Sequence, residues 1–282
     1  MRYLDRPTDR PHLGLAHGPG VMAFLQGHGE MVDYVEAPFE QLRHTPELGR
    51  LQETIPLVLH CASLSIAGFV PPTEETVAAI QREAERTRTP WIGEHLAFVS
   101  ADGIHEEADR DSAPTNLTFT LCPQLSEETI ERVAENLEGV RGRFGVPLIL
   151  ENSPQYYPVP GSTMGLTEFV ARVAERCDVD LLLDLSHLMI TAANTGTDAE
   201  AELERLPLER VVEMHISGMS TEGGVTWDDH AAPAPEEEFQ LLRRALRRAK
   251  PRALTLEYNW SALPEGVMRA HVLKARRLLD GQ

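Results

Sequence analysis

The chain has 282 residues, 42% hydrophobic and 25% charged, with 44 Asp and Glu against 26 Lys and Arg and a formal net charge of −18. This is an ordinary globular composition with room for one large domain, and so acidic a chain lacks the basic face that nucleic-acid phosphates require. No apolar run approaches the roughly 18 residues of a membrane span, the opening MRYLDRPTDRPH has no signal-peptide core, and Cys61, Cys122 and Cys177 show neither pairing nor zinc-knuckle spacing; the expectation is a cytoplasmic protein with no membrane partner.

Short aliphatic and β-branched runs alternate with amphipathic stretches. In chain order the strand-like runs begin with HLGLA (12–16), DYVEA (33–37) and IPLVLHCA (55–62). PTEETVAAIQREAERT (72–87) then reads as a helix opening on a Thr cap with early acids. PWIGEHLAFV (90–99) is the fourth strand, and LSEETIERVAENLEGVRGRF (125–144) repeats the helical plan. VPLILEN (146–152), LLLDLS (181–186) and VVEMHIS (211–217) follow as strands. EEEFQLLRRALRRAK (236–250) places acids first and bases last, as the helix dipole favours. LTLEYN (254–259) is the eighth strand and PEGVMRAHVLKARRLLD (264–280) the closing helix. Eight strand-helix units predict an α/β fold, a (β/α)8 TIM barrel forming a single domain over residues 1–282. A doubly wound sheet would carry a G-x-G-x-x-G turn, and LAHGPG (15–20) is not one. The longer loops, 100–124, 153–166 and 218–234, fall after strands four, five and seven, on the face where such barrels carry their sites.

The polar residues at the strand ends carry the chemistry. Strand three ends in His60, strand four carries Glu94 and His95, strand five ends in Glu151, and strand six ends in Asp184 with His187 three residues on. Strand seven carries His215, the loop after it carries Asp228 and His230 in WDDH, and strand eight carries Glu257. A charged Asp in the run LLLDLS is costly unless a cation meets it. Nine His and carboxylate residues on six successive strands predict a metal cluster. Glu151, Asp184, Asp228 and Glu257 supply four negative charges; one divalent ion leaves them in excess, whereas three leave room for an anion. The all-nitrogen and oxygen donor set fits iron, manganese or zinc. Glu94 and Asn152 are candidate orienting partners, and His17, Asp229 and His105 are candidates for touching substrate. Cys61 alternates away from His60 and reads as a small core residue.

The segments LGLAHGPG, DYVEAPFEQL, LVLHCASLS, GEHLAF, LILENSPQYY, LLLDLSHLMITAANTG, VVEMHISG and LEY resemble the multinuclear non-heme iron-dependent oxidases, which include methanobactin- and thiaglutamate-biosynthesis enzymes. The resemblance spans about residues 12 to 260. It implies a TIM barrel and two to three iron ions of mixed Fe(II) and Fe(III) state, with zinc or manganese as substitutes. His60 and His95 would bind one iron with Glu151 as a bridge, Asp184, His215 and Glu257 a second, and His187, Asp228 and His230 a third. The implied activity is dioxygen-dependent modification of a ribosomally made precursor peptide at cysteine, with a separate leader-binding partner protein. Where members of that family often have Asn, this chain has His187. With His there, the ligand order also resembles endonuclease IV, so a metal-dependent hydrolase or a sugar isomerase or epimerase on the same barrel is the alternative.

Overall fold

Aliphatic strands buried on both faces need a covering helix to bring the chain back, and the computed structural model, which describes residues 10–42, 44–101 and 115–281, folds that way. The strands are β1 (His12–Ala16), β2 (Tyr34–Pro38), β3 (Leu57–Cys61), β4 (Ile92–His95), β5 (Phe98–Ala101), β6 (Thr115–Leu121), β7 (Leu148–Glu151), β8 (Asp180–Asp184), β9 (Val211–Ser217), β10 (Ser220–Glu222), β11 (Val225–Trp227) and β12 (Ala253–Glu257). The helices are α1 (Val21–His28), α2 (Phe39–Leu42), α3 (Pro46–Leu51), α4 (Glu74–Thr87), α5 (Glu127–Val140), α6 (Leu166–Cys177), α7 (Leu185–Thr195), α8 (Ala199–Leu203), α9 (Glu236–Ala245) and α10 (Glu265–Leu279). Eight strands close into a barrel in the order β1-β12-β9-β8-β7-β4-β3-β2, each pairing parallel to its neighbours. The expected TIM barrel is the observed fold.

The run 90–99 does not stay one strand. The N–H of Ala97 turns back to the carbonyl of His95 at 2.8 Å, and β5 leaves the barrel to pair antiparallel with β6. A second ribbon, β10 with β11, rises from the loop after β9. The run 181–186 likewise stops as a strand at Asp184, where α7 begins. The helices at 74–87 and 127–140 start on Thr73 and Ser126, whose hydroxyls accept the N–H groups of Thr76 and Thr129.

Strand alternation divides the core in two. Outside, a large cluster and a smaller one of Val35, Ala37, Leu48, Leu51 and Leu57 pack strands against helices, and inside, Tyr34, Val58, Trp91, Ile149, Leu182 and Ala253 plug the barrel. Gly14 makes room for that plug, since a Cβ there would lie 2.3 Å from the Tyr34 ring. Among the described residues, no helix is long and apolar enough to cross a membrane.

Candidate metal centre

Asp184 ends β8 and caps α7 in one step. Its Oδ1 accepts the backbone N–H of His187 at 2.6 Å, which stops the strand and starts the helix with no loop between them. The D-x-x-H spacing thereby becomes geometry: the same turn brings His187 Nε2 to 3.8 Å from Asp184 Oδ2.

Glu151, at the end of β7 and fully buried, sits between two groups of donors. Its Oε2 lies 3.0 Å from His60 Nε2 and 2.9 Å from His95 Nδ1. Its Oε1 lies 3.3 Å from His187 Nδ1 and 3.8 Å from His215 Nδ1. His215 Nδ1 is also 3.9 Å from Asp184 Oδ2 and 3.2 Å from Glu257 Oε2. Two sets could therefore each hold an ion, His60 with His95 and Glu151, and Asp184 with His215, Glu257 and Glu151, the donor atoms of each lying within 4.8 Å of one another. Gly93 admits the first set, because a Cβ there would meet His60 Nδ1 at 2.4 Å.

The third group hangs on the loop after β9. Asp228 Oδ2 is 2.9 Å from His187 Nε2 and 3.3 Å from His230 Nε2. His230 adopts a left-handed backbone, φ 54°, and is held there by Asn259 N–H on its carbonyl at 2.8 Å and by its own Nδ1 bonded to the Glu257 carbonyl at 2.9 Å. Gly218 lets the loop fold back so closely that a Cβ would collide with the backbone of Ala232. All nine ligand candidates read from the sequence are thus brought to one mouth.

Their orientation is set from behind. Asn152 donates to the Asp184 carbonyl and accepts the Asp184 N–H, both at 2.9 Å, and its own carbonyl meets His187 Nδ1 at 2.8 Å. Two acids that the sequence reading missed lie inside the barrel. Glu36, on β2, places Oε2 3.0 Å from His215 Nε2, so that Nδ1 is the nitrogen left facing Asp184 and Glu257. Glu213 lies below; Tyr34 and Thr255 donate to its Oε1 at 2.9 and 2.8 Å, and Trp91 donates to its Oε2 at 2.7 Å. The signal was present: Glu213 is two residues before His215, on the same face of the strand, and Glu36 interrupts an apolar run just as Asp184 does.

The other candidates lie apart from the nine. Glu94 is on the outer face of β4, where its Oε2 accepts from Cys61 Sγ at 2.9 Å and from the Leu64 N–H at 3.3 Å. Strand alternation sends it away from its neighbour His95. Cys61 is a buried core residue. His17 Nδ1 bonds Gln41 Oε1 at 2.9 Å. Asp229 accepts from Ser220 and from the Ala231 N–H, which shapes its loop. His105 lies outside the described residues.

The charges match a site built for cations. Burial alone would push the Glu151 carboxyl up, but the imidazoles of His95 and His60 hold it well below the usual range. Burial raises Asp184, with Glu151 and Asp228 adding to the rise and His187 opposing it. For His60 burial lowers the pKa, and the carboxylates of Glu36 and Glu151 overcome this and raise it to about 10. His230 is also raised to about 10, burial being outweighed by Glu257 and Asp228. His60 Nδ1, His95 Nδ1, both Glu151 oxygens, Asp184 Oδ2 and His215 Nδ1 are buried without a hydrogen-bond partner. Such atoms are costly to bury. Most of them crowd within ion-pair distance of one another but outside hydrogen-bond geometry, the arrangement expected of donors aimed at shared ions.

Comparison with known proteins agrees in fold and family. The family model described as "RiPP precursor modification enzyme MbnB/TglH/ChrH" matches residues 13–280. A UPF0276 protein of Anaeromyxobacter sp. is 31% identical over 261 residues, 89% of this chain and 88% of that one. Among solved structures, endonuclease IV from Thermus thermophilus is 19% identical with a TM-score of 0.55, covering 96% of this chain and 100% of its own. D-psicose 3-epimerase from Clostridium cellulolyticum is 12% identical with a TM-score of 0.55, covering 95% and 97%. At these identities the two structures speak for the barrel alone.

Two outcomes are expected. Glu36→Gln keeps the fold, because burial already raises the Glu36 carboxyl to about 7 and a neutral amide is readily accepted there. It should weaken metal binding at the set that includes His215 by about tenfold, read by competition with a chromogenic chelator; unchanged affinity would remove Glu36 from the site. Second, His60 and His230, each near 10, carry protons at neutral pH that an entering ion must displace. Loading should therefore release protons and tighten as the pH rises from neutrality toward about 10. Calorimetry in two buffers of different ionisation enthalpy measures the proton count, and a count of zero contradicts the assignment.

Proposed function

The chain belongs to the MbnB/TglH/ChrH family of RiPP precursor modification enzymes, and from that premise and its donor geometry we propose that it is a multinuclear, iron- and dioxygen-dependent oxidase that modifies a ribosomally made peptide at a cysteine. The observation that carries the multinuclear reading is the division of Glu151, with Oε2 toward His60 and His95 and Oε1 toward His187 and His215. A carboxylate so placed would be shared between two donor sets. In this reading His60, His95 and Glu151 would hold one iron, Asp184, His215 and Glu257 a second, and His187, Asp228 and His230 a third. Zinc and manganese suit the same donors. Bound iron supplies the change of valence that dioxygen chemistry needs, which zinc lacks.

The chain's own residues do the rest. Asn152 and Glu36 fix the directions of Asp184, His187 and His215. The plug of Tyr34, Val58, Trp91, Ile149, Leu182 and Ala253 closes the barrel, so substrate approaches from the mouth alone. The peptide is grasped with the help of a separate leader-binding protein, in the cytoplasm where it is made.

A competing reading, a hydrolase of the endonuclease IV kind, is favoured by His187, which completes a third donor group with Asp228 and His230. A hydrolase uses its ions as Lewis acids, so zinc suffices and oxygen is irrelevant. With a Cys-bearing precursor peptide, we expect product to form only in the iron-loaded protein and oxygen uptake to scale with product. The zinc-loaded protein should bind the peptide and leave it unchanged, and an abasic-site DNA duplex should stay intact. Activity of the zinc form under strict anaerobiosis would install the hydrolase instead. In the same preparations His187→Asn should lower the metal content at the third set and leave the other two largely filled; equal loss from all three would overturn the division of ligands.

A further inference from the structure

We propose that Tyr156, Tyr157 and Trp227 form a docking shelf for a cationic side chain, Arg or Lys, of the peptide that the centre modifies; this rests on the peptide-substrate reading above. Trp227 directly precedes Asp228, so the shelf adjoins the third donor group. The Trp227 ring centroid is 4.8 Å from that of Tyr156 and 6.3 Å from that of Tyr157, and Tyr157 is 58% exposed.

The shelf is a built feature. Its rings come from two loops, 152–165 after β7 and the β10-β11 ribbon after β9, and one side chain ties them. Asn194 of α7 donates to the Gln155 carbonyl at 3.0 Å and the Thr226 carbonyl at 2.9 Å, and its Oδ1 accepts the Thr226 N–H at 2.8 Å. Thr191 of the same helix accepts the Gln155 N–H at 3.0 Å. The helix that presents His187 therefore also sets the height of the shelf above the metals.

Its charge selects a cation. Aromatic faces attract positive charge. Two exposed acids, Glu222 and Asp229, belong to the ribbon that carries Trp227 and the turn after it. Trp227 Nε1 donates to the carbonyl of exposed Glu222 at 3.4 Å, and Asp229 is held by Ser220, the cross-strand neighbour of Trp227. No Lys or Arg occurs in the described segments 62–73, 96–101, 115–126, 152–165, 211–235 or 253–264. Elsewhere the chain covers rings with its own cations, Arg132 over Phe69 at 3.5 Å, Arg252 over Trp91 at 4.8 Å and Lys274 over Phe239 at 3.7 Å. Among the described residues no such pair involves the three rings of the shelf. An aliphatic side chain would bury against these rings but gain nothing from the carboxylates, and an anion would be repelled by them.

The test uses the full, metal-loaded chain and two fluorescein-labelled Gly/Ser-rich peptides. Each has one cysteine and differs only in carrying arginine or its neutral isostere citrulline nearby. Anaerobic fluorescence anisotropy should show the arginine peptide binding about tenfold more tightly, with the difference shrinking at high salt. Tyr157→Leu, at an exposed position, should remove most of that preference and Tyr157→Phe should keep it; Trp227→Leu provides a second variant with the same expectation. Equal affinities, no binding by either peptide up to about 1 mM, or a preference that survives both leucine variants overturns the shelf. A clear arginine preference with the cysteine left unoxidised after oxygen is admitted would instead count against the oxidase reading alone.

Discussion

Everything at the mouth of this barrel answers to the burial of Glu151. A carboxylate with no exposure costs several kcal/mol unless cations or donors meet both of its oxygens. Here each oxygen faces imidazoles from different strands, β3 and β4 on one side and β9 with α7 on the other. The imidazoles and the carboxylate shift one another accordingly, His60 being raised to about 10 while Glu151 is held low. The groups that balance this carboxylate are therefore the donors that an ion would share with it.

The polar character continues downward, and this shapes the barrel below the ligands. Glu36 backs His215, and Glu213 lies a layer lower with donors from Tyr34, Thr255 and Trp91 on both oxygens. Glu213 is satisfied by hydrogen bonds and Glu151 is not. That contrast separates a structural acid from a ligand more clearly than burial does, since both are fully buried. The rings inside the barrel need space, and Gly14 supplies it for Tyr34, which serves Glu213, and Gly93 for His60, which faces Glu151.

Much of this was legible in the sequence. Eight strand runs and the strand-end positions of His60, His95, Glu151, Asp184, His215 and Glu257 follow from apolar patterning interrupted by single polar residues. What escaped has physical causes. The run 90–99 reads as one strand because β5 keeps the same residue preferences after leaving the barrel, and the turn at Ala97 depends on backbone bonds alone. Glu36 and Glu213 escaped because a search for ligands stops at strand ends, whereas orienting acids sit a layer deeper. Glu94 was over-read for the opposite reason: adjacency to His95 in sequence is opposition across a strand.

The ligand set does not choose the reaction. Nitrogen and oxygen donors accept redox-active and redox-inert ions alike, and barrels of this shape serve an endonuclease and a sugar epimerase. Selection must come from what the mouth admits. Here the described loops after β7 and β9 bring aromatic rings and carboxylates to the rim. Asn194 and Asn152 lock that rim and the ligands to one helix-strand junction, β8 to α7. Asp184 caps that helix, so the Asp184 carboxylate, His187 and Asn194 all belong to one strand-helix junction. The aromatic rim and the ligand carboxylate are in this way tied to the two ends of one helix.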